Sequence, residues 1–347
     1  MTSHTIVYLD QNYLSNMAKA RLGFPMNSAD SEFWRSLFDD LKAAVLANKI
    51  ACPESQFQRK EARLDRRIEK AVGRIIDELS WGLEFNPWEV ILRLQIEDAA
   101  YRFLGKNPPA RETWSAAFKS DPQTPVESRM EEILGTKGRI VVSFSPPDEV
   151  IEEDRQSKLE FMDKAQEILN GYSNNPLSWS ELLLQSKKGV VDSFMGKQAQ
   201  QSIAQQLQRD SPLDKLRALQ NLQELEDLWN WLHWTGINTN DSKMVMEFAE
   251  SKELLDSPFI EVNASIWAAV AECGLQGRKG RKRGKGDFYD APILATALPY
   301  CDVVATDSFM KEIVVKRFHF DEKYQCNIFS ANKTDRQAFQ KLIKKLK

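Results

Sequence analysis

Residues 6–15, IVYLDQNYLS, and residues 286–308, GDFYDAPILATALPYCDVVATDS, stand at opposite ends of a 347-residue chain and read as two parts of one site. Thr5 to Leu9 is a short β-rich apolar run that ends on Asp10 and passes at once into polar Gln11 and Asn12 and a helical pattern. That order predicts a strand with Asp10 at its carboxyl end. Asp302 to Thr306, with VVA at its centre, predicts a second strand that delivers Asp307, and Asp287 and Asp290 open the intervening helix on one face. In an open α/β sheet the carboxyl edge is where ligands bind. Carboxylates gathered there repel one another unless a hard cation neutralises them. The fold class expected is therefore α/β, with a parallel sheet built from both chain ends.

The ordered set of LDQN (9–12), DAPILATA (290–297) and VVATDS (303–308) resembles the PIN-domain nucleases. The likeness covers residues 1–65 and 255–347. It implies a three-layer parallel sheet flanked by helices and a site of acids holding one or two Mg²⁺ or Mn²⁺ ions. A further acid of the family follows the second strand. In KIACPESQFQRKEA (49–62), Ile50 to Cys52 reads as that strand, Pro53 as its stop and Glu61 as the acid, with Glu54 as the competing choice. Carried across position by position, the resemblance makes Asp10, Glu61, Asp290 and Asp307 metal ligands and Asp287 a fifth catalytic acid. Asn12 takes the small polar position that steadies the first aspartate or a water, while Thr306 or Ser308 would hydrogen-bond the ligands. Spacing departs from a compact PIN domain, because 226 positions separate Glu61 from Asp287. The activity implied is phosphodiester hydrolysis by an endoribonuclease, with DNA as the other polymer, in the manner of bacterial toxins and defence effectors. Two other classes fit the same residues: a non-catalytic nucleic-acid or protein scaffold whose aspartates merely cap helices, and a small-molecule phosphoryl hydrolase.

Composition narrows the field. With 42% apolar residues the chain has material for two cores or for one core with a large insertion. Mean hydropathy is −0.47, no apolar run approaches the roughly 18 residues of a membrane span, and no basic-then-apolar leader pattern opens the sequence. A cytoplasmic protein is expected. Cys52, Cys273, Cys301 and Cys326 lie far apart without a CxxC pair and read as buried thiols. His4, His233 and His319 are too few and too scattered for histidine-based chemistry.

Charge is unevenly spread. Residues 66–254 hold 23 Lys+Arg against 31 Asp+Glu, a balance of −8, whereas residues 1–65 with 255–347 hold 24 against 19, a balance of +5. The portion with the acidic site is thus the basic portion, which suits a polyanionic substrate. Six of its cations, Arg278, Lys279, Arg281, Lys282, Arg283 and Lys285, fall within eight glycine-interleaved residues just before Asp287. We expect this loop to contact phosphates.

Between the ends, residues 66–254 read as a helical insertion. Arg59 to Leu83 predicts one extended helix, Arg139 to Phe144 a lone strand, and residues 149–170, 178–209 and 211–234 further helices. Leucines recur every third residue from Leu213 to Leu228, a step that winds around a helix and calls for enclosure by neighbours. Seven tryptophans fall here, three of them in WNWLHW (229–234). They read as core, and His233 among them as a packed core histidine. The insertion would shape access or take a protein inhibitor or defence-complex partner, and a homodimer is a further arrangement open to the chain. Near the carboxyl terminus, Gln325 to Phe329 predicts a last strand. Thr334 is the expected cap of a helix whose Phe339, Leu342, Ile343 and Leu346 share one face.

Overall fold

The computed structural model describes residues 4–135, 177–194, 229–275 and 290–347, with isolated helical positions between 152 and 167 and at 227. Two compact units emerge. Met1–Trp88, Glu112–Ile168 and Lys282–Lys347 form the first, and Glu89–Arg111 and Leu169–Arg281 the second.

In the first unit the chain runs β1 (Thr5–Leu9), α1 (Gln11–Leu22), α2 (Ser28–Leu46), β2 (Ile50–Ala51), α3 (Gln56–Arg63) and α4 (Glu69–Ser80). After the second unit's α5 (Trp88–Phe103) it resumes with α6 (Val126–Gly135). The strands form one four-stranded sheet, ordered β2-β1-β3-β4, where β3 is Val303–Thr306 and β4 is Asn327–Ser330. Every pairing is parallel, so all four carboxyl ends share one edge. The α/β class with a parallel sheet joining the two chain ends is therefore observed.

Alternation along the strands divides the sheet into two buried faces. Val7, Leu9, Ile50, Val303 and Ala305 pack with α1, α2, α4 and the carboxyl-terminal helix in one continuous core. Tyr8, Val304 and Thr306 point the other way and are equally buried, with the Tyr8 ring set edge-on to Phe85 at 5.9 Å. Parallel strands covered on both faces are expected to be apolar throughout, as TIVYL and VVAT are. The carboxyl-terminal helix is anchored by Phe339, fully buried between the rings of Tyr13 and Phe329. Tyr13 in turn donates its hydroxyl to the Ser330 carbonyl at 2.8 Å, tying α1 to β4.

Several local expectations change. Arg59 to Leu83 is not one helix: α3 stops at Arg63 and α4 starts at Glu69. Asp65 breaks the run, because its carboxylate accepts from the Arg67 backbone N–H and so competes with helical hydrogen bonding. Since α4 packs on α1 and α2, the sheet-bearing unit continues past residue 65 to Trp88, while residues 255–275 fall in the second unit. The last strand begins at Asn327, and Asn332 rather than Thr334 caps the helix, its side chain accepting from Asp335 N. Cys52, Cys301 and Cys326 are buried and Cys273 is half-buried, all four as free thiols.

The second unit is helical among its described residues. Helix α7 (Trp179–Phe194) packs along α10 (Pro258–Leu275), with α8 (Ser242–Ala249) and α9 (Lys252–Leu255) between them in sequence. Gln95 of α5 accepts from the Phe259 backbone N–H at 2.7 Å, in a buried position. None of the seven tryptophans expected as core is fully buried, and Trp234 is 80% exposed. Trp231 lies under the Arg93 guanidinium at 4.7 Å. His233 is exposed, which overturns its reading as a core histidine. The expected strand at 139–144 and the leucine run at 213–228 lie outside the described residues. No helix among the described residues is long and apolar enough to cross a membrane.

Truncating the buried ring that closes the first unit, Phe339→Ala, should cost about 3–5 kcal/mol, read as a lower midpoint in urea unfolding. An unchanged midpoint would show that the terminal helix contributes nothing to this core.

Candidate active site

The sheet order places β2 on one side of β1 and β3 on the other, so the order in which strands are added switches sides at β1 while all strands stay parallel. A crevice outside the carboxyl ends of such a strand pair is the usual ligand site of open α/β sheets. Asp10 follows β1 there, and Asp307 follows β3. Register puts Leu9 beside Ala305, hence Asp10 beside Thr306 on the next strand.

Asp10 is only 6% exposed. Its Oδ1 accepts from Gln11 N at 2.5 Å, the Thr306 hydroxyl donates to Oδ2 at 3.4 Å, and its own N–H donates to the Ala305 carbonyl at 2.8 Å. Burial pushes its carboxyl up to about 7, and the charges of Glu61 and Asp307 push in the same direction, outweighing the bonds from Gln11 and Thr306. Three carboxylates from separate parts of the chain thus converge on one corner of the sheet. Burial, helped by Asp10 and Glu61, also holds the Tyr8 phenol well above its ordinary range.

Each acid owes its place to a local device. Asp10 and Asp307 are helix N-caps, in keeping with the preference of that position for aspartate. Asp307 Oδ1 accepts from Phe309 N at 2.6 Å and Met310 N at 3.1 Å, at the head of α12 (Ser308–Lys311). Glu61 is half-buried on α3, which starts with a complete capping box: Ser55 Oγ accepts from Gln58 N and Gln58 Oε1 accepts from Ser55 N. The competing Glu54 is paired with Arg59, which also reaches Asp77; burial still pushes the Glu54 carboxyl above its ordinary value against the opposing pull of Arg59. Asp290 begins α11 (Asp290–Ala297) and is half-buried, while the charges that dominate at Asp10 are those of Glu61 and Asp307.

The three supporting residues differ in their surroundings. Asn12 is exposed in the first turn of α1, and the groups bonded to the Asp10 carboxylate are the Gln11 N–H and the Thr306 hydroxyl instead. Ser308 is likewise exposed, leaving Thr306 as the hydroxyl that bonds an acid. Asp287 and the cations Arg278, Lys279, Arg281, Lys282, Arg283 and Lys285 lie outside the described residues. Gln58 and Ser55 were not singled out from the sequence, although the S-x-x-Q spacing that marks a capping box was legible there.

The donor set is made of oxygen ligands, with no histidine or thiol in the group, which fits a hard divalent cation such as Mg²⁺ or Mn²⁺. Among the described residues no three His, Cys, Asp or Glu side chains stand close enough to hold a metal ion. The acids act on one another through space and do not form a closed cage among the described residues. The chain matches no protein-family model, no curated protein and no solved structure.

A carboxyl that keeps its proton to about pH 7 when folded, but loses it near pH 4 when unfolded, penalises folding increasingly as pH rises between those values. Below them the penalty vanishes, and above them it is complete. In chelator, Asp10→Asn should therefore leave stability at pH 4 unchanged and raise it at pH 8 by up to about 4 kcal/mol, since asparagine caps helices as well as aspartate does. Thermal melts at the two pH values measure this. Destabilisation at pH 8 would mean that the carboxylate is compensated in the folded chain.

Proposed function

We propose that the protein is a metal-dependent endonuclease that hydrolyses phosphodiester bonds in RNA, with DNA as the other polymer the same chemistry would serve. The observation that carries this reading is the buried Asp10 carboxyl, pushed up to about 7 by its burial and by Glu61 and Asp307. A fold retains such a destabilised group where it serves a site, and strongly perturbed carboxylates concentrate at functional sites.

In this reading Asp10, Glu61, Asp290 and Asp307 would hold one or two Mg²⁺ or Mn²⁺ ions, with Asp287 as an outer acid that orients a ligand or water, on the strength of the resemblance to PIN-domain nucleases. A bound divalent cation supplies Lewis acidity that polarises a phosphoryl oxygen and makes water nucleophilic near neutral pH. The chain's own contribution is positional. The N-terminal turns of α1 and α12 fix Asp10 and Asp307, the Thr306 hydroxyl orients Asp10, and the apolar sheet beneath keeps bulk water from one side. The six cations between Arg278 and Lys285 would draw the polyanion toward these acids. As in the resembled family, the chain would act as a toxin or defence effector, with the helical unit shaping access or meeting a protein inhibitor.

A second reading is favoured by a specific observation, namely that Asp10 and Asp307 both cap helices. Capping alone would suit a non-catalytic nucleic-acid or protein scaffold.

The two readings separate in one experiment. A pool of RNA and single-stranded DNA is incubated with Mn²⁺ or Mg²⁺ and either wild type or Asp10→Asn, Asp307→Asn, a double variant that preserves both caps. The nuclease reading expects metal-dependent cleavage by wild type and at least about 100-fold less by the variant, a size ordinary for loss of charge at a reacting centre. Equal silence from both, with nucleic acid still bound, would favour the scaffold or a nuclease awaiting its partner.

A further inference from the structure

We propose that Gln58 is a positioning residue of the acidic site, its carboxamide setting the relation between Asp10 and Glu61. The inference rests on the reading of that site as a divalent-cation centre.

The β1–β2 pairing matches Thr5 with Ile50 and Ile6 with Ala51. Continued in the same register, it would bring the Ser55 N–H to the Leu9 carbonyl, because in a parallel ladder a residue's carbonyl takes the N–H one position beyond its partner. The ladder does not reach that far. β2 ends at Ala51, and Pro53, which would face the Val7 carbonyl, has no N–H to give. At the next rung the Gln58 side chain fills the gap. Its Nε2 donates to the Leu9 carbonyl at 2.6 Å and its Oε1 accepts from Ser55 N at 2.8 Å. The carboxamide thereby stands in for a peptide group, joining the two chain segments that the ladder left open. Gln58 and Ser55 are each 4% exposed and Leu9 is 2% exposed, so water does not replace these bonds.

A second tie lies alongside. The Tyr8 hydroxyl and Ser55 Oγ are 3.1 Å apart in a buried hydrogen bond. The start of α3 is thus fastened to both of the last two residues of β1. Asp10 is the next residue after Leu9, and Glu61 lies three positions beyond Gln58 on the same helix face. Repulsion between these acids would drive α3 away from the strand end unless something opposed it. Gln58 joins the elements one residue from the first acid and one turn from the second, so it fixes the spacing a cation would meet. Groups that orient metal ligands in this indirect way are worth about 10- to 100-fold in metal affinity.

The test is Mn²⁺ binding to the full chain, measured by the electron paramagnetic resonance signal of the free ion, with no cleavage involved. Gln58→Met keeps side-chain length and neutrality but removes both carboxamide bonds, and Ser55 Oγ still accepts from the backbone N–H at position 58. Ser251→Ala removes the N-cap of α9 in the other unit and supplies a control with a comparable loss of stability. We expect Gln58→Met to weaken Mn²⁺ binding about 10- to 100-fold and Ser251→Ala to leave it unchanged. Tyr8→Phe, which loses only the hydroxyl tie, should weaken it in the same direction by less, and it decides the matter if Gln58→Met does not fold. Wild-type affinity in both site variants would overturn the role of Gln58 while leaving the metal centre standing. Absence of Mn²⁺ binding by wild type would overturn the metal centre itself, and this proposal with it.

Discussion

Everything at the candidate site depends on β1 being held on all sides. It pairs in parallel with β2 on one edge and β3 on the other. Val7, Tyr8 and Leu9 are buried, at no more than 2% exposure. A strand so enclosed cannot shift its register without turning its apolar side chains to the wrong face. The residue after it, Asp10, is therefore carried to a fixed point at the switch in strand order, whatever electrostatic cost that point imposes.

That cost is the other half of the architecture. A carboxyl with little access to water, near two more carboxylates, is destabilised in its charged form, and the two hydrogen bonds from Gln11 and Thr306 do not offset this. The surrounding structure resists the repulsion with short-range devices: two helix caps, a capping box, and a glutamine carboxamide that finishes a ladder the proline interrupted. Glu54 lies close by in sequence and is paired with Arg59, while burial still pushes its carboxyl up.

The helical unit has a different character. Its described helices bury leucine, isoleucine and phenylalanine, while its tryptophans sit at the boundary with solvent. Trp231 beneath Arg93 illustrates how a half-buried ring can be used there, its face offered to a cation. Residue type alone suggested a tryptophan core, but the size of the ring makes complete burial uncommon.

By itself the sequence determined the elements whose signal is local. TIVYL and VVAT specify buried strands through unbroken apolar, β-branched runs, aspartates after them specify helix starts, and Asp65 in an otherwise helical run supplied the cue, passed over, for the break between α3 and α4. The tertiary structure alone decided what depends on distance across the fold. Glu61 and the competing Glu54 both follow the second strand on paper, and only the folded chain shows Glu61 acting on Asp10 while Glu54 meets Arg59. Asn12 and Ser308 occupy promising positions in the motif, yet helix geometry turns both to solvent. The perturbed carboxyl of Asp10 could not be read from its neighbours in sequence. Its cause is desolvation and Coulomb repulsion from groups 51 and 297 positions away, and both forces act through space, so they come into being only when the chain has folded.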